Sequence, residues 1–169
     1  MKRLRGMRGL AALIVSIIAL LALAAGTSSA SVAGGPVTKN FSFIGKANSK
    51  TAILFNIDSL LINARCSSTG NPVIFAFSSS NNAELFGRMF DGLGRLHIIK
   101  NSAFTKTTKG ISLAPNVAGD FNSSGTVMFE TATPGASSGK VVTVYYAFDN
   151  ATTLNHLNVC TVYGTVTAS

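Results

Sequence analysis

One stretch of the sequence places oxygen-bearing side chains at the spacing that a calcium-binding loop requires. Asp120, Asn122 and Ser124 occupy loop positions one, three and five, and a glycine follows at position six. An EF-hand-type loop also needs a bidentate carboxylate at position twelve, where this chain has Thr131. The same side chains are common in hairpin turns, because they hydrogen-bond to the nearby backbone. The stretch therefore favours a turn, and calcium is the only cofactor that the sequence suggests.

The ionisable residues indicate no assembled catalytic set. His97 and His156 are the only histidines, and we expect both rings on the solvated surface. The chain has no Gly-x-Ser-x-Gly motif and no His-Glu-x-x-His spacing for zinc. A carboxylate-based hydrolase would need two acids that only the fold could bring together. The candidates are Asp58, Glu84, Asp91, Asp120, Glu130 and Asp149.

Aromatic and basic residues are the candidates for surface binding. The chain lacks Trp, which leaves Tyr145, Tyr146 and Tyr163 as rings on which a sugar could stack. Residues 86–109 contain a single acid and five bases, namely Arg88, Arg95, Lys100, Lys106 and Lys109. If the five bases share a face, they form a strip suited to anionic wall polymers, phosphorylated surfaces or nucleic acid. The alternative is that they prevent edge strands from pairing with another chain.

The first 30 residues predict a secretory signal peptide. Four bases within the first eight residues precede an apolar run at 9–25. Ser28 and Ala30 provide the small side chains of a cleavage site, so we place cleavage after Ala30, with Ala33 as an alternative. An uncleaved membrane anchor is the second interpretation, because the apolar run approaches ~18 residues. Cleavage would give a secreted chain with no membrane segment, and it would remove half of the formal charge of +8.

The rest of the chain predicts one all-β domain. We expect a flexible lead-in at residues 31–40 and a single domain at 41–169, where short β-type runs alternate with Gly, Pro, Asn and Ser turns. The spacing predicts an antiparallel β-sandwich of eight or nine strands, with a jelly-roll-like arrangement as a variant. Segment 84–91 fits a short helix as well as a strand, because its apolar residues recur at three- and four-residue spacing.

Alternating apolar residues predict which strand faces enter the core. The expected core faces are Leu60, Ile62, Ala64 and Cys66; Val73, Phe75 and Phe77; Val142, Val144, Tyr146 and Phe148; and Cys160, Val162 and Val166. Cys66 and Cys160 are the only cysteines, and we predict that they form a disulfide, since disulfides persist in exported proteins. Closing so long a loop contributes ~4 kcal/mol in the chain-entropy account. Two buried free thiols are the alternative.

The carboxy-terminal part resembles a β-rich domain of secreted bacterial proteins. Cys160 begins a Cys-x-x-x-Gly run near the end of the chain, and Cys66 ends a strand before the Asn71-Pro72 turn. The resemblance covers about residues 50–169. Because the members of that family are uncharacterised, the resemblance implies a β fold and a disulfide and says nothing about activity.

These observations together predict a secreted, non-enzymatic surface, binding or structural module. The expected partner is an anionic cell-wall polymer or another extracellular surface, with no nucleotide cofactor. Two alternatives stay open. One is an extracellular hydrolase that uses two of the acids, and the other is a structural subunit that polymerises through an exposed strand edge.

Overall fold

The protein folds as an antiparallel β-sandwich, as the alternating sequence predicts. The computed structural model describes residues 35–114, 123–132, 139–150 and 159–169. Ten strands in these ranges form one sheet of six and one of four. The expected signal peptide, the calcium candidates Asp120 and Asn122, and His156 lie outside the described residues. Within the described ranges, the chain has no helix that could cross a bilayer.

The sandwich consists of ten strands within the described residues. They are β1 (Val37–Lys46), β2 (Ala52–Ile57), β3 (Leu60–Cys66), β4 (Pro72–Ser78), β5 (Ala83–Phe90), β6 (Leu96–Asn101), β7 (Ile111–Ser112), β8 (Ser123–Thr131), β9 (Lys140–Asn150) and β10 (Val159–Ala168). β1 begins inside the segment expected to be a flexible lead-in, because Val37 already pairs with Ala168.

Most neighbouring strands are also neighbours in the sequence. The six-stranded sheet has the order β1-β10-β9-β8-β5-β6, and the four-stranded sheet has the order β2-β3-β4-β7. β8, β9 and β10 form a meander, to which the β5–β6 hairpin is joined by pairing of β5 with β8. A jelly roll has eight strands in two Greek keys. This sandwich therefore differs from the jelly-roll variant.

The ambiguous segment 84–91 is a strand, which raises the number of strands to ten. β5 pairs along its length with both β6 and β8, so sheet hydrogen bonds satisfy its backbone. Leu85 and Met89 enter the core, whereas Phe86 and Phe90 lie on the outer face. Large apolar side chains on both faces produce the spacing that also fits a helix.

The predicted core faces are confirmed on three strands, and the prediction for β4 is wrong. The buried residues are Leu60, Ile62 and Ala64 of β3; Val142, Val144, Tyr146 and Phe148 of β9; and Cys160, Val162 and Val166 of β10. On β4, Ile74 and Ala76 are buried, and Phe75 and Phe77 are half-buried on the opposite face. Every residue from 73 to 77 is apolar, so alternation could not distinguish the two faces. The ring of Phe77 instead covers Gly110, where a Cβ atom would come within 2.6 Å of it.

Cys66 and Cys160 form the predicted disulfide, which links the two sheets. Cys66 is the last residue of β3, Cys160 lies at the start of β10, and their Cα atoms are 5.7 Å apart. Both residues are fully buried. The backbone N–H of Cys66 also donates a hydrogen bond of 2.7 Å to Ser49 Oγ, which fixes the end of β3. The crosslink therefore joins the six-stranded sheet covalently to the four-stranded sheet.

The double variant C66A/C160A should lower the free energy of unfolding by about 2–5 kcal/mol. The disulfide spans 94 residues, and its loss gives the unfolded chain more conformational freedom. Urea unfolding measures the difference, and Ile53→Ala, which truncates a side chain that is 69% exposed, is the control. The control should change stability by less than about 0.5 kcal/mol. A double variant as stable as the control would contradict the prediction.

Candidate functional site

A groove of about 420 Å³ lies on the outer face of the six-stranded sheet. Its lining comes from β5, β8, β9 and β10 and includes Arg88, Phe90, Ser124, Tyr145, Ala147 and Tyr163. We call it the tyrosine groove. It combines aromatic rings, hydroxyl groups and one positive charge on a single face, which is the mixture that ligand sites commonly use.

Strand register arranges the groove side chains in two rows. The first row consists of Thr165, Tyr145, Thr126 and Arg88, and the second consists of Tyr163, Ala147, Ser124 and Phe90. Tyr145 and Tyr163 are therefore diagonal neighbours on adjacent strands, at a spacing of about 7–8 Å. The small side chains of Ala147 and Ser124 lie beside them and form the floor of the groove.

Two of the three tyrosines are available to a ligand. Tyr145 and Tyr163 are each 56% exposed. Tyr146 points the other way, into the core, where its hydroxyl donates a hydrogen bond of 2.8 Å to the carbonyl oxygen of Leu113. Burial raises the pKa of Tyr146 above its ordinary value. Tyr146 therefore has a structural role in the core, and the rings that a ligand can reach are those of Tyr145 and Tyr163.

Two glycines beside Tyr146 leave room for rings that pack against the inner face of the sheet. Gly125 and Gly164 lie opposite Tyr146 on its two neighbouring strands. A Cβ atom on Gly125 would approach the Tyr146 ring to 2.5 Å, and one on Gly164 would approach the Phe41 ring to 2.6 Å. The same glycines line the floor of the tyrosine groove with their backbone. A larger residue at either position would therefore disturb the packing beneath the groove.

Two of the five predicted bases lie together on the outer face of the sheet. Arg88 of β5 lines the tyrosine groove, and Lys100 of β6 lies one row further along. The ammonium group of Lys100 is 5.8 Å from the centroid of the Phe86 ring, within reach of a cation–π interaction. Lys106 and Lys109 are exposed on the crossover from β6 to β7, which leads to the other sheet.

The carboxylate of Asp91 organises the turn between β5 and β6. It accepts hydrogen bonds from the backbone N–H groups of Leu93 at 3.0 Å and Arg95 at 2.8 Å. It also accepts one of 2.6 Å from Nε of Arg95 and lies 2.9 Å from Nε2 of His97. The remaining predicted base, Arg95, is thus bound to Asp91 in the turn.

The expectation that His97 lies on the solvated face is wrong. His97 shares the inward-facing side of β6 with the buried Ile99, and its side chain is only 28% exposed. Leu96 and Ile98, on the opposite side of β6, are exposed. The prediction failed because the outer face of β6 is also apolar. Contact with Asp91 gives the inward-facing imidazole a polar partner.

The pKa of Asp91 lies well below its ordinary value. Burial disfavours the charged carboxylate and by itself would raise the pKa. The hydrogen bonds from His97, from the backbone and side chain of Arg95, and from the backbone of Leu93 outweigh burial and lower it. Folding therefore favours the ionised form of Asp91.

The variant Asp91→Asn should have a lower melting temperature than the wild type at pH 7. A depressed pKa in the folded state contributes stability above the unfolded pKa of about 3.9, and this contribution is lost as the pH falls further. The difference in melting temperature should therefore shrink between about pH 5 and pH 2. Lys106→Gln, which removes an exposed charge on the crossover from β6 to β7, is the control and should leave the melting temperature nearly unchanged. A pH-independent difference would contradict the role given to the charge.

A second groove, of about 400 Å³, contains two carboxylates. Glu84 of β5 and Glu130 of β8 lie directly opposite each other, and both side chains are exposed. Like charges at directly opposite positions destabilise a sheet. The fold thus brings together two of the six acids that the sequence offered.

The described residues provide no assembled metal site. Across the four described ranges, no group of three or more His, Cys, Asp and Glu side chains could hold a metal ion. Ser124, the third calcium candidate, is exposed on β8 and lines the tyrosine groove. Since Asp120 and Asn122 lie outside the described ranges, calcium binding stays a prediction.

Comparison of the chain with protein-family models, with curated proteins and with solved structures finds no match. Function must therefore be inferred from the surface itself. Sequence reasoning had named the tyrosines as possible sugar platforms. It missed Phe90 as their neighbour, because the pairing of β5 with β8 joins segments that are distant in the sequence.

Proposed function

We propose that the protein is a secreted, non-enzymatic module that binds a glycan strand in the tyrosine groove. The observation that carries this proposal is the exposure of Tyr145 and Tyr163 as diagonal neighbours on one sheet face. A sugar ring has apolar C–H faces that pack on aromatic rings, and its hydroxyls hydrogen-bond to polar groups beside them. Two rings at this spacing offer platforms for successive parts of one chain.

The rest of the groove supplies matching polar groups. Ser124, Thr126 and Thr165 carry hydroxyls along the floor, and Thr165 Oγ1 already donates a hydrogen bond of 3.0 Å to Asn40 Oδ1. Phe90 adds a third ring at the far side, where it is 43% exposed. These groups lie on strands, which hold them in fixed positions before a ligand arrives and so limit the entropy lost on binding.

The charge of the groove favours an anionic glycan. The guanidinium of Arg88 can bind a carboxylate or a phosphate through two hydrogen bonds. Lys100 adds positive charge in the next row. An acidic wall polymer would therefore bind more tightly than a neutral one, and its binding would weaken with salt. This is the partner class that the sequence suggested.

Export of the protein is supported from two directions. The sequence begins with the charged and apolar regions of a signal peptide. The buried Cys66–Cys160 disulfide is compatible with an oxidising, extracellular location. A module that binds polymers outside the cell needs both delivery and resistance to unfolding there.

Tyr145→Ala and Tyr163→Ala should each weaken glycan binding by about tenfold, or about 1.4 kcal/mol. Electrophoresis in native gels that contain polygalacturonate measures this as loss of retardation, with dextran as the neutral glycan. Met128→Ala is the matched control, because Met128 is 44% exposed on the same sheet face outside the groove. Tyrosine variants retarded as strongly as the control, or a wild type retarded by neither glycan, would contradict the proposal.

Hydrolysis by Glu84 and Glu130 is the second candidate function. Retaining glycosidases hold two carboxyl groups about 5–5.5 Å apart, and directly opposite residues in a sheet have Cβ atoms about 4.5–5.5 Å apart. Both glutamates are exposed to water, however. A glycosidase keeps one acid in an apolar site so that it holds its proton. Binding in the tyrosine groove is therefore the preferred function.

If the second candidate is correct, Glu84→Gln and Glu130→Gln should each reduce sugar release by at least about a hundredfold. The measurement is the appearance of reducing ends from polygalacturonate and from purified peptidoglycan. Asp58→Asn removes an acid that pairs with Lys140, away from the two glutamates, and serves as control. Release of no sugar by the wild type would exclude this candidate.

A further inference from the structure

The turn between β5 and β6 presents a cluster of exposed apolar side chains. Leu93 lies in the turn and is 67% exposed, whereas Phe90 and Leu96 face each other across the last pair of the hairpin and are 43% and 53% exposed. We call these three residues the hairpin tip. Clustered apolar side chains of this size on a surface commonly mark an interaction site.

The turn is held in a fixed shape. Besides the bonds to its carboxylate, the backbone N–H of Asp91 donates to the carbonyl oxygen of Arg95 at 3.1 Å, and that of Gly94 donates to the carbonyl oxygen of Asp91 at 2.8 Å. Gly94 has φ +76°, a left-handed conformation that glycine adopts without strain. Leu93 is therefore held outward by a rigid turn, which lowers the entropy cost of docking.

Positive charges lie behind the tip on the same face of the hairpin. Arg88 is two residues back from Phe90, or about 7 Å along the strand, and Lys100 is four residues beyond Leu96, or about 14 Å. The only acid on the outer face of β5 is Glu84, near the opposite end of the strand. Asp91 is buried beneath its hydrogen-bond partners. The hairpin thus combines apolar side chains at its tip with the exposed bases Arg88 and Lys100 behind it, where Ile98 is also exposed, and Arg95 adds a further base in the turn.

We propose that the hairpin tip docks on an anionic lipid bilayer. An apolar surface that lies in a membrane interface reaches about 5–10 Å into the boundary between headgroups and acyl chains. The spacing along the hairpin would then place Arg88 and Lys100 at the level of the phosphates, which attract them. This inference goes beyond glycan binding, and it differs from the sequence expectation that the cleaved chain has no membrane contact.

The test is co-sedimentation of the purified protein with phosphatidylcholine vesicles that contain about one third phosphatidylglycerol, compared with pure phosphatidylcholine. The wild type should bind the anionic vesicles more tightly, and Leu93→Asp should reduce that binding by at least about tenfold. Ile53→Asp is the matched control, because Ile53 is 69% exposed on the other sheet. Any contribution of the amino-terminal apolar run is common to all variants, so the difference between them reports on the tip.

Binding of Leu93→Asp as tight as that of the control would overturn the proposal, and equal binding to both vesicle types would overturn its electrostatic part. Leu93→Ser, a milder change, should give an intermediate loss if Leu93→Asp proves unstable. A wild-type dimer that Leu93→Asp dissociates, without vesicle binding, would assign the tip to a second copy of the chain instead. Leu93→Asp should keep its retardation by polygalacturonate, which separates failure of this proposal from failure of glycan binding.

Discussion

Antiparallel pairing of β5 with β8 joins the β5–β6 hairpin to the meander of β8, β9 and β10. This single ladder joins two local structures into five neighbouring strands, and pairing of β1 with β10 completes the six-stranded sheet. It also brings Arg88 and Phe90 to the tyrosines of β9 and β10, and it places Glu84 opposite Glu130. Both grooves would be dismantled if the hairpin paired elsewhere. The contact is long-range and is made after a large loop has closed, which is costly in chain entropy.

Core packing explains how the same sheet can carry a ligand-binding face. Buried side chains of β8 and β9 pack towards the four-stranded sheet, and the loop after β6 adds Phe104, whose ring meets that of Phe129 edge-on at 6.0 Å. Tyr146 satisfies its hydroxyl on Leu113 without reaching solvent. The inner face therefore stabilises the sheet through packing. The outer face carries the large exposed side chains of Tyr145 and Tyr163.

Sequence reasoning was reliable on β3, β9 and β10, where alternate positions carry apolar residues at every step of the core face. Their core residues and the Cys66–Cys160 disulfide were all predicted. β4, β5 and β6 carry apolar residues on both faces, so alternation of apolar and polar residues could not show which face of each strand is buried. The misplaced faces of β4, the helix alternative for β5 and the error at His97 have this common cause. The site was predictable only as residue types, since register between distant strands decides which of them meet.

The pairing of β1 with β10 has a consequence for protein engineering. Val37 and Ala168 lie opposite each other, so the chain enters and leaves the sandwich about one strand spacing apart, or ~4.8 Å. Both points lie at the end of the sheet away from the β5–β6 turn, since the first residues of β1 are aligned with the last residues of β10 and with the start of β9. The sandwich can therefore be inserted into a surface loop of a host protein, with the β5–β6 turn at the end away from the host.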